Sequence, residues 1–303
     1  MLLEGLHVLD LSRLLPGGYC TQLLQQQGAE VVKVEPPAGD PMRRMPGGEA
    51  LFAILHDGKQ LMRLDLKSPD GRASLRARVR AADVLVEGFR PGRMEAMGIG
   101  YPSLAAINPR LVYCAITGYG STAPDAGRAG HDLNYLARSG ALSLMPLANQ
   151  LPVIPGLQVA DLAGGLQAAF LITAALSQRA HAGRGARVEV SMAGLMRTWT
   201  ALPRAARRAG LEGLGLTGEI PCYRVYATAD GPITVAALEP KFWATLCKAI
   251  DREDLTPRQF DTTASDELQA LFKTGSREHW MRRFGDLDVC VEPVRSLDES
   301  EGN

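Results

Sequence analysis

The sequence predicts an α/β protein, a parallel sheet covered by helices and then a smaller α+β region. Three observations predict it: apolar strand-like runs alternate with helical patterns through the first two hundred residues, a glycine-rich stretch interrupts the pattern near residue 211, and a hairpin signal opens the remainder of the chain. With 303 residues and 46% hydrophobic side chains the chain is long enough for one large domain or two, and two are expected.

The first unit runs in order. His7 to Leu11 is a short apolar run bounded by turn signals. Pro16-Gly17-Gly18 opens a helical pattern to Gln27, and Glu30 to Glu35 is a second strand, completing a βαβ unit. The pattern recurs in strand-like Leu61 to Leu66, helical Pro69 to Ala82, strand-like Asp83 to Phe89, a helical stretch after Pro91 and strand-like Leu111 to Thr117. Strands joined by such crossovers pair in parallel, which makes this a Rossmann-like large domain. Asp161 to Arg179, rich in Ala, Leu and Gly, suits a helix buried on most sides, and Arg187 to Ser191 reads as a further strand. The expected division is residues 1–210, a linker at 211–218, and a small α+β domain at 219–303. In the latter, Cys222 to Ala227 and Ile233 to Leu238 form a hairpin turned by Ala229-Asp230-Gly231, before two helices and strand-like Val289 to Val294.

Composition excludes some partners. Thirty-three basic residues balance thirty-three acidic ones, so no overall field draws in nucleic acid or an anionic membrane surface. Five scattered cysteines without CxxC spacing argue against a disulfide framework or zinc site and read as reduced core thiols. The N-terminus lacks a signal-peptide pattern, and no segment is expected to approach the roughly 18 apolar residues of a membrane span, so a cytoplasmic protein is expected.

Local chemistry is concentrated in few places. Ser12 to Gly18 reads as a tight structural turn or as a phosphate cradle at a helix N-terminus, without GxGxxG spacing. Leu64-Asp65-Leu66-Lys67 and Glu87-Gly88-Phe89-Arg90-Pro91-Gly92-Arg93 each end a strand, where open parallel sheets bind ligands. Lys67, Arg90 and Arg93 there are either phosphate-binding cations or solvated loop charges. Gly127 to Tyr135 is a glycine-rich loop running into Gly130-His131-Asp132-Leu133-Asn134-Tyr135. Of the five histidines, His131 is the best candidate proton carrier, the plain alternative being a structural histidine at a loop-to-helix junction. Asp161 stands at the mouth of the long helix, as an N-cap or as a reactive acid beside free amides suited to a developing oxyanion, with Gly164 and Gly165 permitting close approach. Glu239-Pro240 reads simply as a first-turn acid.

Taken in order, Val8-Leu9-Asp10-Leu11-Ser12-Arg13, Gly28 to Glu35, Leu64 to Lys67, Phe89-Arg90-Pro91-Gly92, Gly118-Tyr119-Gly120 and the glycine-flanked Asp161 resemble the family III CoA-transferases (CaiB/BaiF), and Gly130 to Tyr135 with Ala237-Leu238-Glu239-Pro240-Lys241-Phe242 is similar to their α-methylacyl-CoA racemase branch. The resemblance implies an interlocked homodimer acting on an acyl-CoA thioester. It implies proton exchange at the α-carbon through an enolate, with His131 and Asp161 as the two bases and Glu239 supporting His131, across subunits. CoA would be held by Asp65, Leu66, Lys67, Gly88, Phe89, Arg90, Gly130, Asp132, Asn134 and Tyr135. No separate cofactor and no metal are implied, CoA being part of the substrate. The alternatives are a CoA-transferase with Asp161 as nucleophile and a non-catalytic acyl-CoA-binding protein. The chain ends at Asn303, where the resemblance leads one to expect several dozen further residues.

Overall fold

A computed structural model describes residues 1–211 and 216–300. Two compact units result, Met1–Ala201 and Leu202–Asn303. This boundary falls ahead of the expected residue 210. Residues 212–215 of the expected linker lie outside the described residues.

In the first unit the elements run as β1 (His7–Leu11), α1 (Leu14–Gln26), β2 (Glu30–Glu35), α2 (Gly48–Leu55), β3 (Gln60–Arg63), α3 (Pro69–Val79), β4 (Val84–Glu87), α4 (Arg93–Ala96), α5 (Tyr101–Ile107), β5 (Val112–Thr117), α6 (Asp132–Ser139), the two-residue strands β6 (Leu147–Ala148) and β7 (Leu151–Pro152), α7 (Val159–Ala182), β8 (Arg187–Ser191) and α8 (Met192–Trp199). Six strands form one parallel sheet in the order β3-β2-β1-β4-β5-β8. The chain winds outward from β1 to β3, then returns beside β1 and winds the other way. The change of direction between β1 and β4 opens a crevice at their carboxyl ends.

The inner strands β1, β2, β4 and β5 are largely buried, so they read as apolar runs, unlike the edge strands β3 and β8. Val8, Val84, Val86, Val112, Cys114 and Ile116 face α1 and α7. Leu9, Leu11, Leu85, Tyr113 and Ala115 face Leu75 and Val79 of α3 and Leu104 of α5. Helix α7 packs along α1 so closely that a Cβ at Gly165 would lie 2.5 Å from the Pro16 carbonyl oxygen, and one at Gly164 would lie 2.7 Å from the Met192 side chain. These glycines therefore serve helix packing, not access by a substrate. By length and composition α7 is apolar enough to cross a membrane, against the expectation that no segment comes near this. Its Ala160, Ala168, Ile172 and Ala175 are buried against the sheet and α1, while Leu166 and Phe170 are exposed.

Beneath the turn after β1 lies a buried charge network that the sequence pattern does not reveal. Asp10, fully buried, accepts from the Ser12 amide at 2.9 Å and hydroxyl at 2.5 Å and from the Thr21 hydroxyl at 2.6 Å. Its carboxylate lies 3.7 Å from both the Lys33 and the Lys59 ammonium. Lys33 also donates to the Ser12 carbonyl at 2.7 Å and sits 3.2 Å from Asp40. Lys59 donates to the Gly18 carbonyl at 2.8 Å, and its Nζ lies 3.1 Å from Nδ1 of His56, which is buried too. Burial pushes the Asp10 carboxyl up, but the two ammonium groups and two hydroxyls outweigh this and hold it at about 2.

The second unit carries α9 (Ala201–Arg208) at its start, then β9 (Tyr223–Ala227), β10 (Pro232–Ala236), α10 (Pro240–Ala249), α11 (Ala264–Phe272), α12 (Arg277–Phe284), β11 (Val291–Pro293) and α13 (Leu297–Ser300). The hairpin is as expected, and β11 joins it in an antiparallel sheet ordered β11-β10-β9. Three helices rather than two separate β10 from β11. Trp243, Trp280, Phe272 and Tyr226 fill a separate core. Four cysteines are buried as expected, but Cys290 is exposed.

Replacing Lys33 by Met removes the cation shared by Asp10 and Asp40 and leaves their buried carboxylates short of countercharge. The expected loss is about 3–5 kcal/mol of unfolding free energy, measured by urea denaturation; a loss under about 1 kcal/mol would refute the role given to this network.

Candidate active site

The carboxyl ends of the parallel strands carry two adjoining cavities. The larger, about 600 Å³, is lined by Ser12 and Arg13 after β1, Glu35 at the end of β2 and Pro36 after it, Leu64 to Lys67 after β3, and Gly88, Phe89, Arg90 and Arg93 after β4. The smaller, about 280 Å³, is lined by Leu14, Pro16, Gly118, Arg128, Gly130, His131, Tyr135 and Asp161 among others. Ser12, Arg13, Gly88, Phe89 and Arg90 line both. The shared wall is therefore the crevice where the sheet changes direction.

Local bonding shapes the larger cavity. Asp65 Oδ1 accepts from the Lys67 amide at 3.0 Å, turning the chain after β3, and Ser68 caps α3 through the Gly71 amide. After β4, Glu87 accepts from the Phe89 amide at 2.6 Å and from the Tyr113 hydroxyl at 3.2 Å. Burial pushes the Glu87 carboxyl up to about 7 although both bonds oppose it. The Arg13 guanidinium lies 4.6 Å over the Phe89 ring, bridging the two sides of the crevice. Arg13 and Glu87 were not singled out from the sequence as site residues. The available signal for Arg13 was a cation at a helix N-cap, where the macrodipole disfavours it.

His131 and Asp161 line the smaller cavity because two helix N-termini meet there. His131 is the N-cap of α6, and its amide donates to Asn134 Oδ1 at 3.0 Å. The next residue, Asp132, reaches across to α7, where its Oδ1 accepts from the amides of Ala160 at 2.6 Å and Asp161 at 3.1 Å. The side chain of Asp132 thus does the capping, and Asp161 is the third residue of the helix rather than its N-cap. These two first-turn amides therefore do not await an oxyanion, contrary to the sequence reading. Tyr135 donates its hydroxyl to the Gly130 carbonyl at 2.5 Å and packs edge-on to Tyr119 at 5.3 Å, and a Cβ at Gly118 or Gly130 would collide with these rings.

Of the residues expected to hold CoA, Asp65, Leu66, Lys67, Gly88, Phe89 and Arg90 line the larger cavity, and Gly130 and Tyr135 the smaller. Asp132 and Asn134 line neither; their side chains are engaged by backbone amides. Glu239 lies in the second unit as the exposed N-cap of α10. Among the described residues no group of three or more His, Cys, Asp or Glu is placed to hold a metal.

Asp161 is raised to about 7, chiefly because burial penalises its charge and secondly because the Asp132 carboxylate lies nearby. A carboxyl group that titrates near neutrality, inside a cleft, has the property expected of an acid-base catalyst.

Residues 3–301 match CoA-transferase family III. The chain belongs to this family. Two curated relatives mark its two chemistries. Human alpha-methylacyl-CoA racemase is 35% identical over 99% of this chain and 79% of its own length. Human succinyl-CoA:glutarate CoA-transferase is also 35% identical, over 84% of this chain and 60% of its own. In structure, a CaiB/BaiF family protein from Brucella suis superposes with a TM-score of 0.87 at 28% identity, covering 99% of this chain and 86% of that one. As a member of family III the chain is an enzyme of the racemase and CoA-transferase type, acting on acyl-CoA.

Asp132→Asn keeps an oxygen to cap α7 but removes the neighbouring charge. The Asp161 pKa is expected to fall from about 7 toward the ordinary carboxylate range, as measured by carbon-13 NMR of the labelled carboxyl; an unchanged value would mean that burial alone sets it.

Proposed function

We propose that this chain racemises the α-carbon of 2-methyl-branched acyl-CoA thioesters, with His131 and Asp161 as proton carriers on opposite faces of a planar enolate. One carrier takes the α-proton while the C–H electron pair moves toward the thioester oxygen. The other then delivers a proton to the opposite face. What carries the reading is that His131 and Asp161 line one cavity of about 280 Å³, which adjoins a cleft ringed by Arg13, Lys67, Arg90 and Arg93 and large enough for a nucleotide portion. Support also comes from Asp161 itself, since a carrier with a pKa near 7 is available in both protonation states at neutral pH. In this reading Glu239 assists His131, the protein works as a homodimer in the cytoplasm, and the exposed Leu166 and Phe170 of α7 are apolar surface that such a dimer would cover.

A second reading keeps the same fold and nucleotide cleft: Asp161 attacks the thioester carbonyl and forms an acyl anhydride for transfer to a carboxylate acceptor. The equal identity to a racemase and to a CoA-transferase favours keeping it. Only this chemistry leaves an acyl-enzyme that hydroxylamine captures.

Incubation with a 2-methylacyl-CoA in deuterium oxide is expected to erase the α-proton NMR signal. Asp161→Asn and His131→Ala should each slow this by about 10²–10⁴-fold; absence of exchange in the intact protein overturns the proposal. In the direction in which Asp161 accepts the proton its carboxyl must be ionised. There kcat/KM should rise with pH through about 7, and a profile that stays flat from acid to alkaline pH would remove Asp161 from the role of base.

A further inference from the structure

Three loops that line the larger cavity each turn about an acid. Asp10 of β1, Asp65 after β3 and Glu87 at the end of β4 accept a bond from the backbone amide two residues further on, those of Ser12, Lys67 and Phe89. Their settings differ. Asp10 is buried between two lysines, and Asp65 is exposed. Glu87 is buried, and among the described residues no ion pair accompanies it. Glu95 of α4 and Arg187 of β8 act on it only from further off, and in opposite senses. A buried carboxyl without a cation is a cost to the fold, and the geometry shows what it secures.

The Glu87 Oε2 accepts from the Phe89 amide at 2.6 Å, and its Oε1 accepts from the Tyr113 hydroxyl at 3.2 Å. The first bond spans Gly88, which is exposed and at which a Cβ would meet nothing nearer than 3.9 Å, so packing does not hold that step of the chain. On the far side, Pro91 restricts Arg90 to extended backbone. The direction taken by Phe89 and Arg90 is thus decided at Gly88, and the bond to Glu87 decides it. Both residues line the larger and the smaller cavity, and the Arg13 guanidinium lies 4.6 Å over the Phe89 ring.

Burial pushes the Glu87 carboxyl up to about 7, so both of its protonation states are present near neutrality. Either state leaves Oε2 free to accept, because the proton can sit on Oε1 beside Tyr113.

We propose that Glu87 is a positioning residue for CoA: the bond from the Phe89 amide to its carboxyl holds Phe89 and Arg90 where the nucleotide end of the substrate meets them. This rests on the reading that CoA fills the larger cavity.

The test is calorimetric binding of free CoA to the intact protein and to Glu87→Leu, Glu87→Asp, Glu87→Gln, Leu85→Ala and Lys67→Ala, with thermal unfolding of each. Glu87→Leu fills the space without an acceptor and should weaken CoA about tenfold, a difference of about 1.4 kcal/mol. Glu87→Asp, whose carboxyl falls short of the amide, should act in the same direction and serves if the leucine variant does not fold. Glu87→Gln offers an oxygen to Phe89 and an NH2 group to Tyr113, and should restore the affinity of the intact protein. Leu85→Ala opens a cavity in the buried part of the same strand and should lower the Tm without weakening CoA. In α-proton exchange Glu87→Leu should raise KM by the same factor and spare kcat. Unchanged CoA affinity in the folded Leu or Asp variant overturns the proposal. So does a loss that Gln fails to restore, or one that Leu85→Ala matches, which would reflect stability alone. Lys67→Ala tests the reading beneath it: unchanged affinity there moves CoA out of the larger cavity and overturns both, whereas weakening there with none at Glu87 overturns the proposal alone.

Discussion

The site depends on one buried carboxylate. Asp10, at the end of β1, is removed from water and held between two lysines, and through Ser12 and Thr21 it ties the end of the strand to the first turns of α1. Such an arrangement is an unreliable source of net stability, since the desolvation of the ions offsets much of their attraction. Its effect here is geometric. Lys33 comes from β2 and Lys59 from just before β3, and each reaches a carbonyl of the β1–α1 segment, at Ser12 and Gly18 respectively. Three neighbouring parts of the sheet thus converge on one turn, and that turn carries Arg13 and Leu14 into the crevice where the sheet changes direction. Greasy replacements of equal volume would fill the same space without specifying where the Ser12 carbonyl points.

A second carboxylate does the corresponding work on the other side of the crevice. Asp132 ties the N-terminus of α7 to that of α6, so the residues on either side of this link, His131 and Asp161, come to one cavity. The two acids then diverge by environment. Asp132 receives two amides at the positive end of a helix. Asp161 is buried next to the Asp132 carboxylate and is pushed up to about 7. One structural link thus positions Asp161 and adds to the effect of its burial.

Much of the sheet was legible because its inner strands β1, β2, β4 and β5 are largely buried and so read as short apolar runs between turn residues, while the edge strand β8 shows as an alternating run. The limits of β1 and β8 coincide with the runs His7 to Leu11 and Arg187 to Ser191. What was not legible depends on contacts between segments far apart. Lys33 looks like the polar residue of an alternating strand, and nothing near it in sequence announces the two carboxylates that bury it. Gly164 and Gly165 beside Asp161 suggested access for a substrate, whereas their missing side chains admit α1 and Met192. The capping of α7 was sought in Asp161, the acid nearest the helix start, but comes from Asp132, 28 residues before Ala160. The place of Lys67, Arg90 and Arg93 at the crevice was easier to find, because residues directly after parallel strands fall at the carboxyl end of the sheet.

The acidity of Asp161 bears differently on the two chemistries open to the family. A carboxylate nucleophile is most useful fully ionised, and a raised pKa leaves part of it protonated at neutral pH, even as it makes the ionised part more basic. A proton carrier gains on both counts, since transfer is fastest when the group's pKa lies near the working pH and the carrier must act as base for one enantiomer and acid for the other. The presence of His131 in the same cavity sharpens the contrast. A transferase has no need of a second proton carrier in that cavity, whereas two-base exchange with inversion uses one. The environment that burial and Asp132 create is therefore better matched to moving a proton than to forming an anhydride.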